Sequence, residues 1–419
     1  MIFILIYIAL VIVRPQDYPQ LGDGTLPLLT GTLAVAAGAW LVAGRKTFAQ
    51  PQYPLLFAFL IVTMISILVN GWAGGAIEQA ADFAPTVIAF VLLANALTTP
   101  RRMIVTMQVF VLCSCVLALH GVLQVQNGIG WTGMPLVQDD GRIQYVGIFS
   151  DPNDLGLLFV AVLPMAFHLA RRGGMLGLVR LTWLAAAALL LYGVYLTNSR
   201  GALLAVASMI GVWLWLRRGV ITAMVVGGGG LALMQMLPSR LQDLDAAEES
   251  AAGRIDAWYE GLQMFQSQPL FGVGAHNFTE HNYLTAHNSF VLVLAETGIV
   301  GYTVWLAFVG YGFRMMLALC RYAPADADAS TADAWRAERE AGVTLLVSLA
   351  GFFTAAFFLS RSYVIVLYLF AAMVVAQYTQ SRERFPGLPE FRLGDDLARW
   401  GMLSVGSIAL LYLVVRVLL

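Results

Sequence analysis

Charged side chains are scarce in this chain. Only 12% of its 419 residues are Asp, Glu, Lys or Arg, and 24 cations against 25 carboxylates leave a formal net charge of −1. Such a chain has no basic field and no basic, aromatic surface module, so nucleic acid is not expected as a partner. Its three cysteines suggest neither a disulfide framework nor a metal site. Cys113 and Cys115 lie two apart on an apparent helix and face different ways, and Cys320 stands alone. Also missing are a Gly-rich phosphate loop and a Ser-His-Asp order, which disfavours a cytoplasmic, nucleotide-dependent transferase. No repeat of solenoid period and no low-complexity tract appears. The amino terminus has neither a basic lead nor an Ala-x-Ala cleavage pattern and is expected to be a retained first span.

Apolar residues fill the chain instead. They make up 59% of it, and the mean hydropathy is +0.75. That excludes a soluble globular domain and predicts an all-α, polytopic membrane protein, one integral membrane domain over 1–419. Apolar segments fall at 1–13, 27–43, 54–69, 83–98, 103–121, 155–170, 178–196, 201–216, 219–237, 288–317, 341–359, 362–378 and 402–418. Several of these thirteen are shorter than the ~20 residues of a perpendicular span. The segment 1–13, or one of the close pairs, is therefore re-entrant or merged, and about 12–13 transmembrane helices are expected.

Orientation follows from the cations, because cytoplasmic loops retain Lys and Arg. With the amino terminus inside, seventeen of the 24 fall on the inner side: Arg45, Lys46, Arg101, Arg102, Arg171, Arg172, Arg180, Arg217, Arg218, Arg314, Arg321, Arg336, Arg339, Arg382, Arg384, Arg392 and Arg399. The other seven, Arg14, Arg142, Arg200, Arg240, Arg254, Arg361 and Arg416, stand singly outside. This places 121–154 and 238–287 on the same, outer face, the second as a loop inserted between spans. Residues 322–340, rich in Ala and Asp, read as a solvated inner loop. A multi-pass membrane protein with its chemistry facing out of the cytoplasm is expected.

The longest polar interruption runs from Ser239 to Gly301 and holds three of the five histidines, His276, His281 and His287. From about 250 to 268, Ile255, Trp258, Tyr259, Leu262 and Phe265 form an amphipathic helical stripe fit to lie on a membrane surface. Pro269 and the Gly272-Val273-Gly274 stretch stop it. His287, at the threshold of the next span, suits a base, since an imidazole titrates near neutral pH and accepts a proton from a hydroxyl; a hydrogen-bonded interfacial histidine is the bland alternative. A metal set of His276, His281 and His287 has spacings that match no standard zinc pattern. Glu296 lies nine residues on, about 13 Å along a helix, so it is expected inside the span. There it binds an arginine, orients the site or caps a backbone gap.

The outer arginines read as ligands or as snorkelled cations. Arg200 follows Thr197-Asn198-Ser199, where a fork-shaped donor at a membrane rim suits a lipid phosphate. Arg254 stands one helical turn before Trp258. Arg142 leads towards Asp151-Pro152-Asn153-Asp154, in which Asp151 and Asn153 also suit a turn and a helix cap. Arg361, in the short turn Ser360-Arg361-Ser362, is as well explained by snorkelling. Outer cations with a histidine suit a donor already activated and already in the membrane, such as a lipid pyrophosphate.

Taken in order, Arg142 to Asn153, Asn198-Ser199-Arg200-Gly201, Gly253-Arg254 to Trp258, Pro269 to Gly274, and Ala286-His287-Asn288 to Glu296-Thr297-Gly298 resemble the bacterial O-antigen ligase and polymerase superfamily. The resemblance implies a GT-C-like, multi-pass glycosyltransferase of the bacterial inner membrane whose outer, periplasmic loop roofs a cavity. There, an undecaprenyl-pyrophosphate-linked glycan meets a lipid or glycan acceptor. It implies His287 as base, Arg200 and Arg254 as pyrophosphate ligands, and Arg142 and Asn153 shaping the pocket. Asn288, Glu296 and Arg361 complete the expected substrate-binding set. No metal, nucleotide or other cofactor is expected. En bloc transfer to a hydroxyl, with inversion, is the reading; a polymerase extending lipid-linked chains is the first alternative. A lipid-linked-sugar flippase is another, disfavoured because the ionisable groups gather at one face rather than at the midplane of two related halves.

Overall fold

The computed structural model describes residues 1–21, 27–42, 46–137, 141–174, 177–236, 244–324 and 328–419, with the side chains of 21 and 229–252 outside the described set. Arg45 and Arg240 therefore lie outside the described residues, as does the start of the 238–287 loop. The chain is all-α, and no strand forms among the described residues. The helices are α1 (Ile2–Val13), α2 (Leu28–Val42), α3 (Gln52–Val69), α4 (Ala73–Ala96), α5 (Pro100–Asn127), α6 (Pro152–Ala170), α7 (Leu178–Leu196) and α8 (Arg200–Arg218). They continue with α9 (Val220–Met236), α10 (Leu244–Ser267), α11 (Phe278–His281), α12 (Ser289–Arg321), α13 (Ala329–Ala356), α14 (Ile365–Arg384) and α15 (Leu393–Leu418). All but α10 and α11 correspond one for one to the thirteen apolar segments. Among the described helices nine are long and apolar enough to cross a membrane: α3 to α8, α12, α13 and α15.

Burial separates centre from periphery. The apolar window of α6 is 83% buried within the protein and that of α13 78%, against 17% for α8. Helices apolar all round belong in the middle of a bundle, and those with lipid-facing sides at its rim. Accordingly α13 packs on α6, α8, α12 and α14, while α12 also meets α3, α10 and α15.

The cations divide between the two ends of this bundle. Arg171 at the end of α6 and Arg217 at the end of α8 both pair with Glu340 of α13. Arg384 pairs with Glu338, and Arg314 and Arg399 share Asp396. This arginine-rich end lies opposite the end that carries His287.

Two expectations are corrected. Residues 329–340 are not loop: they form the first turns of α13, capped by Asp328 accepting from Thr331 N at 2.8 Å. Trp335 and Glu338 are buried there. The segment's Ala content favours helix, and its carboxylates have arginine partners. The amphipathic helix, for its part, starts earlier than read, at Leu244, and α10 packs on α12 and α15. Its buried face carries Ala257, Trp258, Leu262 and Met264, whereas Tyr259 is exposed.

Helix α12 is broken at Gly298, which has φ 63° and ψ −166°. The break is filled by the Pro269–Gly274 stretch. Val273 N donates to Ala295 O at 3.0 Å and Gly274 N to Glu296 O at 3.1 Å, while Ile299 N donates to Pro269 O at 2.8 Å and Val300 N to Leu270 O at 3.3 Å. Four backbone groups that the kink strips of helical partners are thus satisfied, as irregular backbone at membrane depth requires. The two backbones come so close that a Cβ on Gly272 would stand 2.4 Å from Ala295 O, and one on Gly298 2.4 Å from Leu270 O.

Candidate functional site

Three helix N-termini meet at the end of the bundle opposite the arginine-rich one. Asp151 caps α6, its Oδ1 accepting from Asn153 N at 2.7 Å. Ser199 caps α8, accepting from Ala202 N at 3.3 Å. Asn288 caps α12, its Oδ1 accepting from Phe290 N at 2.9 Å and Val291 N at 3.1 Å. Glycine lets the first two approach: a Cβ on Gly156 would lie 2.9 Å from the Ala202 Cβ. Each terminus presents partial positive charge, so their meeting point favours an anion.

Two of the expected arginines hold this arrangement together. Arg142 donates through Nε to Thr197 O at 2.8 Å and through Nη2 to Asn153 Oδ1 at 2.9 Å, joining the α7–α8 turn to α6. Arg361 forms a two-point ion pair with Asp154 of α6. Its backbone N donates to Ser289 Oγ at 2.9 Å. Ser289 Oγ donates to Leu359 O at 2.6 Å, and Ser362 Oγ to Ser289 O at 2.8 Å. The α13–α14 turn is thereby stitched to the first residue of α12. Burial alone would lower the Arg361 pKa, but the Asp154 pair outweighs it and raises it.

Arg200 and Arg254 differ. Arg200 is exposed at the first position of α8, Arg254 is half-buried on α10, and neither side chain has a hydrogen bond or ion pair among the described residues. Burial lowers the Arg254 pKa, and the neighbouring cations Arg142 and Arg200 lower it further, with Asp151 opposing. Arg142 and Arg200 are therefore each near enough to Arg254 to disfavour its charge.

His287 completes the group. Its backbone is left-handed, φ 45°, a conformation that costs a non-glycine residue on the order of 1–3 kcal/mol and that clusters at functional sites. It is half-buried between buried Ala286 and Asn288. Burial lowers its pKa, Arg254 and Arg361 lower it further, and Asp151 opposes them. The ring is thus held neutral at physiological pH beside two cations. The Asn288 Nδ2 is buried with no hydrogen-bond partner among the described residues.

Glu296 sits elsewhere in the arrangement. It is 2% exposed, and its Oε1 accepts from Phe278 N at 3.3 Å, so of its three expected roles the structure shows the backbone cap. Tyr363 interacts with the same carboxylate, yet Glu296 Oε2 and the Tyr363 hydroxyl complete no hydrogen bond among the described residues. His276 packs its ring on Tyr363, centroids 4.7 Å apart, and His281 is exposed at the end of α11. The site thus brings together Arg142, Asn153, Arg200, Arg254, His287, Asn288 and Arg361, and sets Glu296 with His276 and Tyr363. Sequence reading missed Asp154 as the partner of Arg361, gave Ser289 no role beside His287 and Asn288, and missed Tyr363 altogether. An acid in the first turn of a span needs a cation, which was the available signal for Asp154.

Chemically, the arrangement offers Arg200 and Arg254, which have no ion pair among the described residues, and helix N-termini towards an anion, with a neutral imidazole alongside. No curated protein matches the chain. A family model described as O-antigen ligase matches residues 185–306. That stretch covers Arg200, Arg254, His287, Asn288 and Glu296, and leaves Arg142, Asn153 and Arg361 outside. This match, on an all-α chain with multiple helices apolar enough to cross a membrane, supports the resemblance to the O-antigen ligase and polymerase superfamily.

Proposed function

We propose that the protein is a glycosyltransferase of the inner membrane. It moves a glycan en bloc from an undecaprenyl-pyrophosphate donor to a hydroxyl of a lipid or glycan acceptor on the periplasmic face. The observation that carries this reading is that Arg254 lies near both Arg200 and His287, while neither arginine has a carboxylate partner among the described residues. Like charges gathered at a membrane rim are costly unless an anion joins them, and a pyrophosphate supplies one.

In this mechanism the acceptor oxygen attacks the anomeric carbon from the face opposite the pyrophosphate. Its proton passes to the neutral imidazole of His287. The bond from the anomeric carbon to the pyrophosphate oxygen breaks, and its electron pair leaves with undecaprenyl pyrophosphate. Arg200, Arg254 and the α8 N-terminus meet the charge that develops on that oxygen. A single displacement of this kind inverts the anomeric centre. Arg142, Asn153, Asn288 and Arg361 hold the pocket's walls, and Glu296 fixes the α11 segment behind them. A polymerase would run the same steps with a second lipid-linked chain as acceptor.

The test is transfer by purified protein supplied with a lipid-pyrophosphate glycan and an acceptor. Wild type should form ligated or elongated product, and His287→Ala should lose most of it. Full activity in His287→Ala removes the base assignment. For the face, a reporter fused after Arg218 should be cytoplasmic and one inserted near Ala247 periplasmic; both labelling as cytoplasmic would withdraw the mechanism.

A further inference from the structure

A cavity of about 440 Å³ lies between α6, α7, α8 and α13, and the proposed transfer does not use it. Its walls are apolar, with Leu163, Val206, Met209 and Val347 among them, and Arg171 and Arg180 line it too. Phe167, Leu191, Ile210 and Trp213 line it and are also exposed on the surface, so the cavity opens sideways towards the bilayer.

Its position selects the occupant. Along α7 the lining runs from Arg180 to Leu191, about 16 Å at 1.5 Å per residue, which is roughly half of a ~30 Å hydrocarbon core. On α6, whose first turn carries Asp154 and abuts the His287 end, the lining begins only at Leu163 and reaches Arg171. The cavity therefore occupies one leaflet, the one remote from His287. A donor with its pyrophosphate at Arg200 would enter from the other.

The charge at its mouth is positive. Arg171, Arg172, Arg180, Arg217 and Arg218 gather at this end of α6, α7 and α8, with Glu340 shared between Arg171 and Arg217. The Arg180 side chain has no ion pair or hydrogen bond among the described residues. His168, also lining, is turned to Thr344 at 3.1 Å.

We propose that this cavity binds one anionic phospholipid of the leaflet at the arginine-rich end, with an acyl chain in the apolar slot and its phosphate held by Arg180 and Arg171. Arginine suits the task because its fork takes a phosphate at two points and its stem lies along apolar surface. The inference stands apart from the transfer chemistry, and no residue of the His287 site takes part.

Native mass spectrometry of the purified full chain, mixed with phosphatidylglycerol or phosphatidylcholine, tests it. One phosphatidylglycerol should be retained in preference to phosphatidylcholine. Arg180→Gln and Arg171→Gln should each weaken that retention about fivefold, the worth of one basic side chain at an anionic surface. Arg180→Lys should keep the preference, and Val206→Trp, which fills the slot and spares the arginines, should abolish it. Equal retention of the two lipids overturns the proposal. So does a preference that survives Val206→Trp, or one that Arg180→Lys loses as fully as Arg180→Gln. Displacement of phosphatidylglycerol from the slot by undecaprenyl phosphate would assign the cavity to the donor instead.

Discussion

Arg361 grips Asp154 through both Nε and Nη2 across 207 residues of sequence, fastening the α13–α14 turn to the first turn of α6. The Asp154 side chain is 6% exposed and that of Arg361 29%, so neither charge is well hydrated once its partner is gone. Removing one member of a buried pair leaves the other unpaired at a cost of roughly 3–5 kcal/mol; the partial exposure of Arg361 puts Asp154→Ala nearer the lower figure. Arg361→Ala, which strands the more deeply buried Asp154, should be the worse of the two. Thermal unfolding in detergent measures both, and the double variant should be less destabilised than the sum of the singles. Strict additivity would mean that the pair carries no coupling.

The broken α12 makes a sharper demand. Gly298→Ala places a Cβ against Leu270 O, and Gly272→Ala places one against Ala295 O, each in a left-handed backbone. Neither obstacle is a flexible side-chain end, so both variants should lose more than the ~1–3 kcal/mol of backbone strain alone. Gly253→Ala is the control, since its Cβ would meet only Leu284 Cδ1 at 3.6 Å within helical α10. It should be neutral or stabilising, by up to about 1 kcal/mol. Melting temperatures that rank Gly253→Ala with the other two would show that the Pro269–Gly274 insertion is not a close backbone contact.

Much of this fold is legible in the sequence because a bilayer leaves few options. Apolar runs of the right length must be helices, and each of the thirteen is one. The positions of the helix ends were less legible. α4 starts at Ala73 rather than 83, because Glu78, Gln79 and Asp82 interrupt the apolar pattern without interrupting the helix. The candidate site was legible where a residue type betrays its place, as with Arg200 after a capping serine or His287 before a span. What no local pattern carries is partnership at long range. Arg142 and Arg361 look like Arg200 and Arg254 in sequence, yet they spend their guanidinium groups on Asn153, Thr197 and Asp154. The break at Gly298 is hidden for the same reason, since its compensating hydrogen bonds come from Pro269 to Gly274.

That contrast sets the two arginine classes apart in activity. Arg200→Lys and Arg254→Lys keep charge but cannot offer a bidentate fork to phosphate. Transfer should fall at least about tenfold in each, with folding intact, because removing one donor to a developing oxyanion typically costs ~10²–10³ in rate and lysine recovers part of it. Rates at matched protein levels, with size-exclusion profiles, decide the matter. Near-normal transfer by both lysine variants would reduce these arginines to snorkelled cations.

The pH dependence of transfer separates a base from a bystander. His287 must be neutral to take the acceptor's proton, and its pKa is lowered by burial and by Arg254 and Arg361, with Asp151 opposing. The acid limb of the rate profile should therefore fall below the ~6.5 of an unperturbed histidine, and activity at that pH should remain above half of its plateau. Asp151→Asn keeps an Asn cap on α6 but removes the carboxylate that favours the imidazolium, so its limb should move to still lower pH. Arg254→Gln removes a cation that disfavours the imidazolium, so the limb of its residual activity should move up, towards 6.5. His287→Ala should lose roughly 10²–10⁴ in turnover and the acid limb with it. The opposite shifts of Asp151→Asn and Arg254→Gln are hard to produce unless the titrating group lies between them. A wild-type limb above 6.5, or one that neither charge variant moves, would place the proton transfer on some group other than His287.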